Sequence, residues 1–324
     1  MAPWGGSKRR LDTPTRRGQP SRVPTFWRPA VLALALPAAQ LHAQAPPTAD
    51  LWRVTSASLT NAAAFETGTV GVFWNPAPSP EPTGLTLGIE MTQTSDALGL
   101  SGLLAGAGYS LGPRMQLGLL YGRMQVRDLV RTTTSPNSVG GDIPVYEQLL
   151  AANVGARLLQ WLQAGLLVAY HDEQFDVLDD GGLTVDAGVR LAVHPRVNLA
   201  AATHFFPVNF SRQETTDYYL GAEVVAGDSV PFAGSVARVV LQAGSTYRGS
   251  GDWEFTLAGG LTVARVVRVE TAVTSESAYG ERFLRLGVGV SLFIGRYGIG
   301  LAAGSGQNDV GGTYRVGIDA QLVK

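Results

Sequence analysis

The 324-residue chain carries 40 glycines, no cysteine, only 16% charged residues and a formal net charge of −1. This balance does not suit a typical soluble enzyme and offers no block of like charge for nucleic acid. The absence of cysteine excludes a disulfide framework and a thiolate metal site.

Residues 1–43 read as a unit. Lys8, Arg9, Arg10, Arg16, Arg17, Arg22 and Arg28 precede the apolar run "PAVLALALPAAQLHA" (29–43). That order is the one expected of a secretory signal peptide. The run is too short for a membrane helix, and Ala43 is the preferred cleavage point because Pro46 would follow cleavage at Ala45. No Phe-Leu-Lys-like residues follow Arg16-Arg17, so the segment reads as an ordinary Sec signal. It takes with it seven of the 25 basic residues and one of the 26 acids, leaving 18 against 25 and a net charge of −7. No later stretch reaches the roughly 18 uninterrupted apolar residues of a membrane helix. A membrane location therefore requires a barrel.

Residues 44–82 do not read as wall. Pro76, Pro78, Pro80 and Pro82 cannot donate to a sheet ladder, yet Phe65, Phe73 and Trp74 in "FETGTVGVFWNPAPSP" (65–80) need burial. The expectation is a hatch that folds back into a barrel formed by residues 83–324.

From residue 83 onward the apolar residues alternate. In "LTVDAGVRLAV" (183–193), Leu183, Val185, Ala187, Val189, Leu191 and Val193 oppose Thr184, Asp186, Gly188 and Arg190. Segments of about ten to thirteen residues suit a tilted membrane crossing better than a soluble sheet. The expected strands lie near 83–94, 99–111, 114–127, 145–158, 162–173, 182–193, 197–206, 217–226, 236–248, 252–264, 267–276, 282–293, 296–304 and 312–323. These fourteen make an all-β transmembrane antiparallel barrel. The segment 145–158 also fits helical spacing through Leu150, Val154, Leu158 and Leu162, which would leave about twelve. Short connections at 111–115, 158–161, 193–197, 264–268 and 294–298 read as periplasmic turns. Longer ones at 127–144, 171–182, 206–217, 274–281 and 304–312 read as outer loops. Tyr109, Tyr121, Tyr170, Phe205, Tyr218, Tyr247, Trp253, Tyr297 and Tyr314 are candidates for aromatic girdles.

The face opposite lipid carries Glu90, Arg157, Asp186, Arg190, Glu223, Arg238, Glu254, Arg268, Glu270, Arg285, Arg315 and Asp319. Paired charges bracing the wall are the plain expectation for this set; a polar pathway is the sharper one. Inward glycines, among them Gly88, Gly106, Gly188 and Gly287, leave room for an occupant, either the hatch or an apolar ligand. The acidic stretch from His171 to Glu173, with Asp176, Asp179 and Asp180, is expected in an outer loop that is solvated or binds lipopolysaccharide-linked divalent cations. His194 and His204 fall too far apart to act together. No hydrolase elbow, phosphate loop or HExxH motif is present, so no enzyme, metal or cofactor is expected.

The stretch "GTVGVFWNPAPSP" resembles the signature of FadL-like long-chain fatty-acid transporters and the related PorV-like barrels, through Thr69, Val70, Phe73, Trp74, Asn75, Pro76 and Ala77. It departs from that signature at Pro78-Ser79-Pro80, and the chain is short for a fatty-acid transporter. The resemblance implies a bacterial outer-membrane barrel that takes up or binds hydrophobic small molecules at Phe65, Phe73, Trp74, Asn75 and Pro76, with outer-membrane lipid around it. A partner barrel in protein secretion or surface attachment, working with a secretion-machine protein, and a sealed structural barrel are the alternatives. No nucleic-acid partner is expected.

Overall fold

The computed structural model describes residues 51–54, 59–77, 84–95, 99–131, 141–209, 216–249, 251–278, 281–305 and 311–322. The expected signal peptide and the ends of the expected hatch lie outside them. The strands are β1 (Leu85–Thr94), β2 (Leu100–Leu111), β3 (Met115–Val126), β4 (Val145–Leu159), β5 (Leu162–Phe175), β6 (Leu178–His194), β7 (Val197–His204), β8 (Pro207–Asn209), β9 (Asp217–Phe232), β10 (Ser235–Tyr247), β11 (Trp253–Val263), β12 (Val267–Ala278), β13 (Glu281–Ile294), β14 (Tyr297–Gly304) and β15 (Thr313–Gln321). Each pairs antiparallel with its neighbours. The sheet closes where β1 meets β15, with Ile89 opposite Ile318. The three residues of β8 continue the stave of β7 along β6, so the wall is a closed barrel of fourteen staves.

Closure follows from the solvent. Hydrocarbon offers no hydrogen-bond partner, so every strand needs two neighbours. The alternation then sets which face is which. Leu119 is 62% exposed and Leu120 beside it 2%; Leu257 and Leu284 are 67% and 71% exposed. The apolar row therefore points outward all round, the reverse of a soluble sandwich.

The segment 145–158 is strand β4. Its register puts Leu150, Ala152, Val154 and Leu158 outward and Glu147, Leu149, Ala151 and Asn153 inward. A helix there would leave the ladders of β3 and β5 without a partner. The expected outer loop 171–182 is instead the crest of a hairpin. The β5–β6 ladder runs up to Phe175 opposite Leu178, and Asp176 turns with a φ of 59°. The acidic run hid this because a strand that rises above lipid can be polar on both faces. At the other rim, β9 continues to Phe232 rather than ending near 226. It returns through Ala233 and Gly234, both at positive φ as a two-residue hairpin demands. Among the girdle candidates, Phe205 is corrected: it is buried, with a φ of 60° that swings its ring into the lumen. Of the other candidates on the outer face, Tyr109, Trp253 and Tyr314 are exposed near strand ends, and Tyr170 is exposed within β5, five residues short of its end.

Because Leu119 lies midway along the outward row of β3, Leu119→Arg should lower the unfolding free energy by about 2–4 kcal/mol. Urea titration of the protein in lipid vesicles, followed by tryptophan fluorescence, measures the change.

Candidate lumenal site

Residues 59–77 fill the lumen as two 3-10 turns, Ala63–Phe65 and Gly71–Phe73, joined by irregular chain. Asn75 holds the turns together. Its Nδ2 donates to the Ala64 carbonyl at 2.8 Å, and its Oδ1 accepts from the Ala77 N–H at 2.9 Å. Its burial is nearly complete. The asparagine before Pro76 is thus the staple of the segment, satisfying backbone groups that no ladder reaches.

The wall receives this segment through its inward glycines. A Cβ on Gly165 would collide with the Pro76 carbonyl, and one on Gly287 with the Leu59 carbonyl. At Gly188 the obstacle would be the Asn75 side chain. A Cβ on Gly221 would sit 2.8 Å from Phe65 Cε2, one on Gly244 2.6 Å from Ala62 Cβ, and one on Gly88 2.9 Å from Thr69 Cβ. These glycines lie on β5, β13, β6, β9, β10 and β1, so the wall surrounds the segment. At Gly165 and Gly287 backbone meets backbone at distances that no side chain permits.

Polar contacts fix its orientation. The Ala62 N–H donates to Gln242 Oε1 at 3.0 Å, and Arg190 Nη2 donates to the Glu66 carbonyl at 2.7 Å. Arg315 donates to Glu66 Oε1 from Nη1 at 3.2 Å and from Nη2 at 3.3 Å, and it lies 3.6 Å from Glu90. The Thr69 N–H faces Asp319 Oδ1 at 3.4 Å.

Toward the long-loop rim the segment presents aromatic rings. Phe73 packs against Trp52, Trp74 and His204, with ring centroids at 5.0, 4.6 and 4.6 Å. Trp74 also meets Tyr219. The Asp186 carboxylate takes the Nδ1 of His204 and the N–H of Phe205, each at 2.7 Å, and so holds the inward swing of Phe205. Beside them His171 bridges Glu147 and Thr184, at 3.3 and 2.9 Å. His171 and Glu173 are buried, which corrects the expectation of a solvated loop.

A cavity of about 460 Å³ lies on the other side of residues 60–70 and reaches Gly295–Tyr297 in the short turn between β13 and β14. Charged side chains of both signs line it, with Glu66, Glu90, Glu270 and Asp319 against Arg268, Arg296 and Arg315, beside apolar groups such as Val70 and Phe293. None of the five expected ligand residues lines it. Phe65, Phe73, Trp74, Asn75 and Pro76 are brought together as the packed body of the lumenal segment, and Trp74 borders a void of about 20 Å³.

The expected charge network divides into local groups. Glu90, Arg268, Glu270, Arg315 and Asp319 ring the cavity, and Arg268 sits 3.5 Å from Glu270. Near the long-loop rim Glu254 pairs with Arg248, which also reaches Asp217 at 3.5 Å, and Arg285 faces Glu276 at 3.8 Å. Glu223 accepts from Asn198 at 2.9 Å and from Gln242 at 3.0 Å. Asp186 serves a histidine rather than an arginine. Arg238 stands half-exposed at the short-turn rim, 3.4 Å from Asp228. Arg157 is at the same rim, its N–H bonded to the Arg114 carbonyl. Sequence reasoning passed over Glu66, although an acid set between Phe65 and Thr67 in a segment bound for a lumen was the available signal. It also passed over Trp52, which packs on Phe73, and Arg248, which turns inward to Glu254 and Asp217.

A closed antiparallel barrel with an apolar exterior and a polar, occupied lumen defines a transmembrane β-barrel protein. Neither a family model nor a curated protein matches the chain. Among solved structures it is similar to the toluene transporter TbuX of Ralstonia pickettii, at 11% identity over 87% of this chain and 99% of that one, with a TM-score of 0.51. The toluene transporter TodX of Pseudomonas putida is 10% identical over 87% and 98%, with a TM-score of 0.49. The outer membrane protein Omp33 of Acinetobacter baumannii is 9% identical over 75% and 100%, with a TM-score of 0.48. The likeness to TbuX is one of fold.

Two outcomes follow from the seating of residues 59–77. Gly287→Val should force Leu59 and its neighbours off the wall and raise single-channel conductance in a planar bilayer, while heat-modifiable migration on a gel is retained. Arg315→Met, which leaves two carboxylates without their donor, should lower the unfolding free energy by about 1–3 kcal/mol, with part of the loss recovered on adding Glu66→Gln. Urea titrations of the single and double variants give both numbers.

Proposed function

We propose that this chain is a passive conduit of the bacterial outer membrane for hydrophobic small molecules, with residues 44–82 as its hatch and residues 1–43 as the export signal. The observation that carries the reading is the seat of residues 59–77: an aromatic end toward the long-loop rim, close backbone contact with wall glycines, and a charge-lined vestibule behind. The segment meets the wall through side-chain hydrogen bonds and packing rather than through ladder hydrogen bonds, so it can shift without unpairing a strand, which is what a conduit needs of its plug. Two further points support the reading. One is the resemblance of residues 69–77 to the FadL-like signature; the other is the fold shared with TbuX, which is described as a toluene transporter.

On this reading a ligand meets the outer loops and exchanges its contacts with water for contacts with Phe73 and Trp74. It passes inward as the hatch shifts, with no cofactor and no energy source. The second reading is a PorV-like barrel that serves as a partner in protein secretion or surface attachment. The dense packing around Phe73, with a small void beside Trp74, is the observation that favours it.

Native mass spectrometry of the detergent-extracted protein separates the two. Uptake predicts a copurified apolar molecule that Trp74→Asp removes while the barrel stays heat-modifiable. Stable coisolation with secretion proteins and no bound apolar molecule would turn the assignment to the second reading.

A further inference from the structure

The outer face of β3–β6 changes character along a sharp line. Tyr121, Leu150, Tyr170 and Leu183 are Cα partners across the four strands, all outward and exposed, and they close the apolar surface that begins at the short turns. Two residues further along each strand the outward row is Arg123, Gln148, Asp172 and Gly181, and the row after it is Gln125, Tyr146, Gln174 and Asp179. The ladder continues unbroken through this change. The line is therefore where hydrocarbon stops and headgroups begin, with strands still paired above it.

The first polar row is already organised. Arg123 Nη1 donates to Gln148 Oε1 at 3.2 Å, and Gln148 Nε2 donates to Asp172 Oδ2 at 2.6 Å. The Arg123 guanidinium lies over the Tyr146 ring, 4.2 Å from its centre. Arg123, Gln148 and Asp172 are half-buried against one another, at a depth where an outward charge costs little. The opposite wall differs: among its described residues an outward polar pair at this end is Ser277 with Arg282. On β9–β11 the outward Cα partners at the same end are Tyr218, Tyr247 and Trp253, and Arg248 turns inward to Asp217 and Glu254.

We infer that the outward row Arg123–Gln148–Asp172 is a docking shelf for the phosphorylated sugar headgroup of an outer-leaflet glycolipid. The stacked guanidinium is held flat by Tyr146 and offers its edge to a phosphate. Gln148 and Asp172 are one and two strands away, about 5 and 10 Å, and supply an amide and a carboxylate for sugar hydroxyls. The acyl chains lie below, along Tyr121, Leu150 and Tyr170. The polar row spans three strands, a width that matches a broad sugar headgroup better than the single phosphate of an ordinary phospholipid. The inference rests on the long-loop rim facing outward; it does not depend on what the lumen carries.

The test is native mass spectrometry of the full chain in mixed micelles, offered bis-phosphorylated lipid A, its dephosphorylated form, or phosphatidylglycerol. The wild type should retain the bis-phosphorylated lipid, and Arg123→Ala should cut the bound fraction about tenfold. Trp253→Ala on the opposite wall should leave retention unchanged. If Arg123→Ala does not fold, the double variant Gln148→Ala with Asp172→Asn tests the same row. Equal retention by wild type and shelf variants, equal retention of the dephosphorylated lipid, or phosphatidylglycerol bound as tightly as lipid A would each overturn the proposal.

Discussion

Every other feature of this molecule depends on the unbroken hydrogen-bond ladder that runs from β1 around to β15 and closes there. In hydrocarbon an unpaired backbone group costs several kcal/mol, so an open edge or a helix in the place of β4 has no way to persist. Once the ladder closes, the period of two leaves each residue facing either lipid or lumen. A slip of one residue would turn Arg190, Glu90 or Asp186 toward the acyl chains, which is why the register admits so few irregularities. The bulges that do occur lie at the rims, where Ala226–Val230 bend the top of the β9–β10 hairpin beyond the membrane.

Closure creates an interior that must be filled. The wall answers with small inward residues where the lumenal segment passes, and the segment answers with backbone rather than side chains at Leu59 and Pro76. This fit is specific because it is short-range: a carbonyl seated against a glycine has no room for even one added carbon. It also explains the signature around Asn75-Pro76. The asparagine replaces the ladder that proline forbids, and the proline's missing N–H leaves no donor to be satisfied against the wall.

The polar interior is divided by this segment into two chemically distinct halves. Toward the long loops stand aromatic rings and the two histidines, each tied to a carboxylate. Toward the short turns lies the vestibule with its mixed charges, and Glu90 and Arg315 border both it and the small void beside Trp74. The charges fall into separate local groups, seven around the vestibule and smaller ones near the long-loop rim, rather than into one chain of charges. Such groups brace neighbouring strands, and each can be broken without unpairing the rest.

Much of this was legible in the residues alone. Alternation from Leu183 to Val193 or from Tyr314 to Leu322 determines strand, face and, with the short and long connections, the direction of each stave, because lipid penalises every exception. The inward glycines and the unwall-like prolines together determine that something occupies the lumen. What the order of residues did not determine is which partners meet across the barrel. His171 and Asp180 look like a solvated loop until β5 and β6 are seen to pair above the lipid line; Phe205 reads as a girdle residue until Asp186 captures its N–H. The reading of 145–158 stayed divided between helix and strand because period alone cannot choose, whereas two neighbouring ladders can. Local pattern is set by solvent, which acts on each residue separately. The meeting of Glu66 with Arg315, or of Phe73 with His204, depends on closure of the whole ring, which brings together residues more than a hundred positions apart.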